Sequence, residues 1–488
     1  MYLTQLYPTP KTFEKREGEP FRFGAVCGLV LPKNTSPEMV ENIGKLWHRF
    51  TFTASELKIT ESGSGFYAIF HTGGDSGALP NAIQPGSYYR IRVDQRGAVV
   101  GAVSEKALAD GISMLMQLIV PLDLSEGREA FIIPASELSG EPSLKVRMLH
   151  LCVFPESRLE TLEKAIAFAG FLGFTHIVLE FWGMLKYDAN PALSWDRAFT
   201  KRQIKPLIDL ARGYGMEVIP MLNHLGHAAQ SRVGMGRHTV LNQNPKLQML
   251  FEPDGWTWCV TNPDTKKLLR ELRGELIELC GDGGYFHLGC DEAYSFATCR
   301  ECSKHSAPEL LAEYLNEISS ELEKSGRRAI IWHDQLLKRS DCDPDFKEPI
   351  VVCNSLGVPA GDTTPAVDLL DRRIIIADWQ YDYKTSENPS TPFFIKNGFD
   401  VLCCPWDDWR NVRGLCESAR SNGAMGVMLT TWHHLPNYIH ELPKMANFVW
   451  QNENYKSAPY TEVAALLRKL GYFNSYETAG WSDREVDG

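Results

Sequence analysis

Two rhythms of apolar and polar positions divide the chain. Up to about residue 135, short β-rich apolar runs recur at Ala25–Leu31, Phe66–His71, Tyr88–Val93, Ala98–Val103 and Ala130–Pro134. Helical patterns lie between them at Pro37–Phe52 and Glu105–Leu118. Strands mixed with one or two helices predict a small α+β domain. The polar stretch Glu137–Ser143 carries Gly and Pro and reads as its boundary. From Lys145 a buried apolar run precedes a longer helical pattern, and the unit repeats. The predicted strands are Val146–Val153, His176–Phe181, Glu217–Leu222, Tyr285–Cys290, Ala329–Trp332, Arg373–Trp379, Val401–Pro405 and Gly426–Thr431. Helices are predicted at Glu156–Leu172, Arg202–Gly213, Asp264–Cys280, Pro308–Lys324 and Arg413–Ser421.

Strands alternating with helices imply a parallel sheet with helices outside it, and eight strands over roughly 300 residues suit a (β/α)₈ barrel. The organisation expected is an α+β accessory domain over residues 1–140 and a catalytic barrel over 141–452. A C-terminal helix and tail over 453–488 would pack on the barrel. The competing fold is an open doubly wound sheet, but no G-x-G-x-x-G follows the first strand, which counts against its dinucleotide-binding form. Ile350–Cys353 is a ninth strand-like run, read as an excursion within a long insertion. The apolar stretch Ala165–Trp182 is long enough to resemble a membrane span. Gly173 breaks it, and His176 and Glu180 lie within it, so it reads as helix, turn, strand.

Composition narrows the partners. The 488 residues carry 50 Lys+Arg against 61 Asp+Glu, a net charge of -11, which argues against a nucleic-acid backbone or an anionic membrane as partner. The N-terminus MYLTQLYPTPKTF lacks the features of a secretory signal. Together with 12 cysteines it points to reduced thiols and a cytoplasmic location.

In such a barrel, chemistry belongs at the C-terminal ends of the strands. The fourth strand ends in HLGCDEAY, with Asp291 and Glu292 side by side. Alternation points the two carboxylates in different directions, so one could hold a substrate group while the other donates a proton. The bland alternative is an Asp that caps the next helix beside a solvated Glu. Other strand ends change the balance. They carry Glu180, His224, His227, Trp332, Asp334, Trp379, Trp406, Asp408, Trp432, His433 and His434, and Arg147 lies in the first strand. Flat aromatic walls with a few directional polar groups suit a pyranose ring.

HLGCDE resembles the H-x-G-G-D-E signature of family 20 glycoside hydrolases, the β-N-acetylhexosaminidases. EVIPMLNHLGHAA is similar to the family's third strand, ending in a His-bearing turn at Leu225-Gly226-His227. AIIWHD and ADWQYD are similar to its fifth and sixth strands, and Trp432 to its last-strand tryptophan. FWGMLKYD and the DEAY continuation look closer to the hexosaminidase D branch. The resemblance implies a retaining, substrate-assisted exo-hydrolase of terminal β-linked GlcNAc or GalNAc, without a required cofactor. Asp291 would orient the acetamido group and Glu292 would be the general acid/base. Trp332, Trp379 and Trp432 would wall the pocket. Arg147, His227, Asp408 and His434 would bind the sugar. Two alternatives remain open: a related barrel glycosidase of other sugar specificity, or a catalytically dead carbohydrate-binding barrel.

The sequence departs from that family's pattern in places. Cys290 stands for the second glycine, and Glu180-Phe181-Trp182 replaces a pair of aspartates. Trp406 replaces a tyrosine whose hydroxyl Tyr381 or Tyr383 would have to supply, and His434 replaces a glutamate. Separately, CRECSKH offers Cys299, Cys302 and His305 as ligands of a structural zinc, with Cys259 or Cys403-Cys404 as further candidates; the four-ligand spacing is incomplete, and the alternative is free thiols in a rim loop.

Overall fold

The structure is a computed structural model that describes residues 6–72, 81, 83–123, 130–228, 244–345, 347, 349, 353, 362–432, 435, 439, 441–450 and 460–472. Eight parallel strands close into a barrel: β1 (Val146–Cys152), β2 (His176–Glu180), β3 (Glu217–Met221), β4 (Tyr285–His287), β5 (Arg328–Trp332), β6 (Ile375–Trp379), β7 (Val401–Cys404) and β8 (Gly426–Thr430). Pairing of Val146–His150 with Gly426–Thr430 closes the ring and rules out the open sheet. The ring closes without the ninth run, of which 350–352 lie outside the described residues and Cys353 sits in a bend.

The strands are short and buried on both faces, which is why they read as unbroken apolar runs. Met148, Val178, Ile219, Met221, Ile330, Ile375, Ala377, Leu402 and Met428 fill the barrel's interior, with Trp332 and Cys404 in the same cluster. The intervening helices include Leu159–Phe171, Lys201–Gly213, Pro263–Cys280, Ala307–Glu323 and Trp409–Asn422. Lys201–Gly213 begins at a capping box in which Thr200 and Gln203 satisfy each other's backbone N–H groups. Trp409–Asn422 starts four residues earlier than the apolar pattern suggested, because the Asp408 side chain caps it. The stretch Ala165–Trp182 is helix, turn and strand, with Gly173 at φ 82 making the turn. Among the described residues, no helix is long and apolar enough to cross a membrane.

Ahead of the barrel lies a seven-stranded sheet ordered Thr12–Lys15, Ser136–Gly140, Tyr89–Asp94, Gly97–Ala102, Tyr67–His71, Val26–Leu31 and Glu56–Glu61. A three-stranded sheet and the helices Pro37–Phe50 and Glu105–Met116 accompany it. The polar stretch taken as the boundary is in its first half a central strand. Ser136–Gly140 pairs on both sides and buries Leu138, so the ladder satisfies its backbone and polarity did not mark a loop. The helix Pro37–Phe50 joins this domain to the barrel. Phe50 stacks on Phe171 at 5.6 Å, and Asn42 donates to the Gly213 carbonyl at 3.1 Å. The C-terminal helix Tyr460–Lys469 lies at the same junction, with Lys469 over the Phe50 ring and the Tyr472 hydroxyl donating to Glu163.

Arg147 belongs to this junction and not to a sugar pocket. It is the second residue of β1, at the barrel's N-terminal end, and it is fully buried. Its guanidinium donates to the carbonyls of Gly173 (2.7 Å), Leu144 (2.9 Å) and Lys145 (3.1 Å) and lies 3.6 Å from Asp110 of the accessory domain. The rings of Tyr88 and Trp450 cover it at 5.5 and 5.0 Å. A cation buried this completely needs every donor occupied, and the partners are all structural. Arg147→Met should therefore lower unfolding free energy by roughly 3 kcal/mol, the scale for breaking a buried pair, while leaving the KM of the folded protein for any sugar substrate unchanged. Denaturant titration and steady-state kinetics on the same preparation check this, and a raised KM at unchanged stability would return Arg147 to the pocket.

Candidate active site

The site is assembled where the loops after β3 and β4 cross. β4 is cut short because its continuation leaves the extended region: Gly289 has φ 67, Cys290 φ 78 and Glu292 φ 47. A Cβ at position 289 would lie 1.8 Å from Asn223 Oδ1, and one at 226 would lie 2.1 Å from the Asp291 carbonyl oxygen. The two glycines are thus what lets the NHLGH turn pass against HLGCDE. Cys290 holds a conformation that glycine adopts freely, at the strain expected of a left-handed side-chain residue. His227 (φ 59), Trp182 (φ 48) and Trp432 (φ 43) share that region. Such strain persists only where surrounding contacts over-determine it, and it gathers at functional sites.

These turns bring His227, Asp291 and Glu292 together. His227 Nε2 lies 3.3 Å from Asp291 Oδ2 and 3.2 Å from Glu292 Oε2. Burial alone would lower the imidazole's pKa, but the Asp291 charge and hydrogen bonds to both carboxylates outweigh it and raise it to about 10. Asp334, at the end of β5, accepts the Glu292 backbone N–H at 2.8 Å. Burial and the Asp291 charge push its carboxyl up to about 6. Trp256 donates from Nε1 to the Glu292 carbonyl at 2.5 Å and packs on His227, ring centroids 4.6 Å apart. Tyr294 stacks on Trp256 at 6.0 Å, and Trp182 meets His227 edge-on at 5.4 Å.

Aromatic side chains line the rest. Trp332 is a buried floor under the pocket, against His287 (4.6 Å), His150 (6.0 Å) and Trp432 (5.9 Å). Trp379 donates to Asp334 Oδ1 at 3.4 Å and packs on Tyr381, whose ring also meets Trp406. The Tyr381 hydroxyl accepts from Trp432 Nε1 at 2.9 Å and lies 3.3 Å from Thr430 Oγ1, whose proton goes to the Pro405 carbonyl at 2.9 Å. Behind Trp332 and Trp432 lies a buried group: His150 Nε2 and the Cys152 thiol each sit 3.0 Å from Glu180 Oε2, and Asn223 donates to Glu180 Oε1 at 2.7 Å.

The structure thus brings together Asp291, Glu292, His227, Trp332, Trp379 and Trp432 from the sequence-derived set. It does not bring Asp408 to them. Asp408 caps its helix, and its carboxylate is held by Arg410 at 2.7 Å and Lys384 at 3.3 Å, which keep its pKa well below the usual carboxylate range. A carboxylate already paired twice at a helix start is not available to a sugar hydroxyl. Tyr383 is buried elsewhere, where burial and nearby Asp343 raise its phenol to about 12, so Tyr381 is the hydroxyl near the site. His434 lies outside the described residues. Trp182, Trp256 and Tyr294 were not anticipated as site residues. Trp256 sits in an aperiodic loop, and only its Pro253-Asp254-Gly255 turn marks the place. A further cluster, Glu252, Cys259, Cys299 and Cys302, has the donor set of a metal site.

Residues 179–440, more than half of the chain, match the catalytic domain of glycosyl hydrolase family 20. The chain belongs to family 20. It is 22% identical over 240 residues to a probable β-hexosaminidase of Drosophila melanogaster, covering 45% of this chain and 34% of that protein. It is 21% identical over 270 residues to the lacto-N-biosidase of Bifidobacterium bifidum, covering 51% of this chain and 22% of that one. The matches therefore span about a third and about a fifth of these relatives. The fold resembles that of the exo-β-N-acetylglucosaminidase of Vibrio harveyi, with a TM-score of 0.68 at 13% identity over 97% of this chain and 79% of that one. It also resembles the β-N-acetylhexosaminidase of Bacteroides fragilis, with a TM-score of 0.65 at 15% identity over 97% and 96% of the two chains.

The charge balance has a measurable consequence. His227 is raised from 6.5 to about 10 on folding, so its stabilisation is complete below pH 6.5 and is lost as the pH climbs toward 10. The difference in melting temperature between the wild type and His227→Gln should be largest near the lower end of this window and shrink toward pH 10. A constant difference across it would show that the imidazolium is not the stabilising species.

Proposed function

We propose that the protein is a retaining exo-β-N-acetylhexosaminidase in which the substrate's own acetamido oxygen is the nucleophile. One observation supports this above the others. Asp291 Oδ1 is buried and has no hydrogen-bond partner among the described residues, while Oδ2 faces His227. A buried carboxylate oxygen without a donor is costly, and an acetamido N–H is a donor of the right kind. The Tyr381 hydroxyl accepts from Trp432 Nε1, and its own proton is the group that would donate to the acetamido oxygen. Held between these groups, the oxygen attacks the anomeric carbon to form an oxazolinium ion, and the ionised Asp291 stabilises its charge. Being intramolecular, the attack gains a large effective molarity.

Glu292 is the proton donor to the departing oxygen and then the base for the incoming water. Its side chain is about one-third exposed, at 34%, so it reaches the pocket where Asp291 lies below it. His227, 3.3 Å from Asp291 Oδ2, supplies the counter-charge beside the pair, and Trp332, Trp379 and Trp432 supply the apolar surface for the sugar's C–H face. The substrate class is a glycan or glycoconjugate with a terminal N-acetylhexosamine. A glycosidase with altered recognition of the outer hydroxyls is a second reading, favoured by the positions of Arg147 and Asp408, neither of which is free to read them.

Activity on 4-nitrophenyl β-N-acetylglucosaminide and its galacto epimer tests the main reading, and efficient turnover of a plain β-glucoside would overturn it. Glu292→Gln should lose about 10²–10⁴-fold in kcat/KM on poor leaving groups and much less on activated ones. Tyr381→Phe should lower kcat by on the order of 10²-fold, the scale for a mispositioned reacting group, and should weaken inhibition by a thiazoline mimic of the cyclic intermediate. Unchanged thiazoline affinity would remove Tyr381 from the acetamido pocket.

A further inference from the structure

Beside the active site, three thiols and a carboxylate converge from two loops. Cys259 lies in the loop between β3 and the helix Pro263–Cys280, and Cys299 and Cys302 follow β4. Cys259 Sγ is 3.5 Å from Cys299 Sγ and 3.7 Å from Cys302 Sγ, and one donor atom from each of the three thiols and Glu252 lies within 4.8 Å of the others. A tetrahedron with Zn–S near 2.3 Å has sulfur–sulfur edges of roughly 3.8 Å. A disulfide would need about 2.05 Å, and three thiols cannot all pair with one another. From the geometry we infer that Cys259, Cys299, Cys302 and Glu252 form a structural zinc site.

Glu252 supplies the second observation. It is fully buried, and no lysine, arginine or histidine pairs with it among the described residues. Its Oε2 accepts the Cys299 N–H at 2.5 Å and the Thr298 hydroxyl at 3.2 Å, while Oε1 is buried with no hydrogen-bond partner among those residues. An uncompensated buried anion costs several kcal/mol, and a divalent cation is the counter-charge the cluster lacks. The Cys302 N–H donates to Cys299 Sγ at 3.3 Å, and Thr261 Oγ1 lies 3.2 Å from Cys302 Sγ, contacts of the kind that orient and support thiolate ligands. His305, the ligand suggested by the CRECSKH spacing, is exposed and outside the cluster, and Cys403-Cys404 are buried in β7. Glu252 and Cys259 take their place.

Four protein ligands close the coordination sphere, which is the signature of a structural zinc and not a catalytic one. Its position gives it a task. Cys259 is three residues from Trp256, which holds the Glu292 carbonyl, and Cys299 is five residues from Tyr294. The metal would clamp the β3 loop to the β4 loop just behind the catalytic pair.

The test uses the full chain, untagged and purified without chelator. Metal analysis should find one zinc per chain that survives dialysis against EDTA. X-ray absorption at the zinc edge should show three sulfurs at about 2.3 Å and one oxygen at about 2.0 Å. Cys302→Ser should lose the metal, Glu252→Gln should bind added zinc at least ten-fold more weakly, and Cys416→Ser, in a distant helix, should keep it. Where Cys302→Ser does not fold, the wild-type stoichiometry and absorption spectrum decide. A chain that takes up no zinc on reconstitution with the metal alone, with all three thiols open to a thiol reagent, overturns the site. So does a zinc bound only by nitrogen and oxygen.

Discussion

A histidine cation wedged between two adjacent carboxylates sets the terms for this molecule. Asp291, Glu292 and Asp334 meet at one rim of the barrel, and like charges at such distances in a buried place cannot all remain ionised without a counter-charge. His227 supplies it, within 3.3 Å of both members of the pair. To reach them its loop must press against the β4 loop so closely that only glycine fits at 226, and the β4 loop must turn through three left-handed residues. The strained backbone, the Trp256 and Asp334 contacts to the Glu292 main chain and the short β4 follow from that one electrostatic requirement. Asp334 adds to the crowding of negative charge, and burial together with the Asp291 charge raises its carboxyl to about 6.

The barrel divides its labour by end. At the C-terminal rim, Asp291 Oδ1 is buried with no hydrogen-bond partner among the described residues, and left-handed backbone gathers at Cys290, Glu292, His227 and Trp432. At the N-terminal end a buried arginine has its donors directed at carbonyls and an aspartate, and aromatic rings cover it. The first arrangement stores binding capacity and the second spends its interactions on holding two domains together. The accessory domain thus meets the barrel at its base, by way of Arg147 and the Phe50–Phe171 contact, at the end away from Asp291 and Glu292.

The loops after β3 and β4 behave as one unit. Between them they contribute His227, Trp256, Asp291, Glu292, Tyr294 and the cysteine cluster. Their mutual contacts include the Trp256 Nε1 bond to the Glu292 carbonyl at 2.5 Å and the Ser295–Thr257 hydroxyl contact at 3.0 Å. A clamp between them would hold the Glu292 backbone in place, which the proposed function requires, since small displacements at a reacting centre are expensive.

Much of this was legible along the chain, because strand and helix periodicities are local properties. All eight barrel strands follow apolar runs, and the order of chemistry-bearing strand ends placed Asp291, Glu292, His227, Trp332, Trp379 and Trp432 at one rim. What the sequence could not show is which end of a strand a side chain serves and what already occupies it. Arg147 is polar, in a buried strand and beside family-like residues, yet it starts β1 instead of ending it. Asp408 stands at a strand end and spends its charge on a helix cap and two cations. Ser136–Gly140 is polar but sits between two strands that satisfy it. Cys259 and Glu252 lie 40 or more residues from Cys299, so no spacing rule could join them. Local pattern determined the elements and their order. Burial, charge pairing and the close crossing of loops, which exist only once distant segments meet, decided which residues form the site.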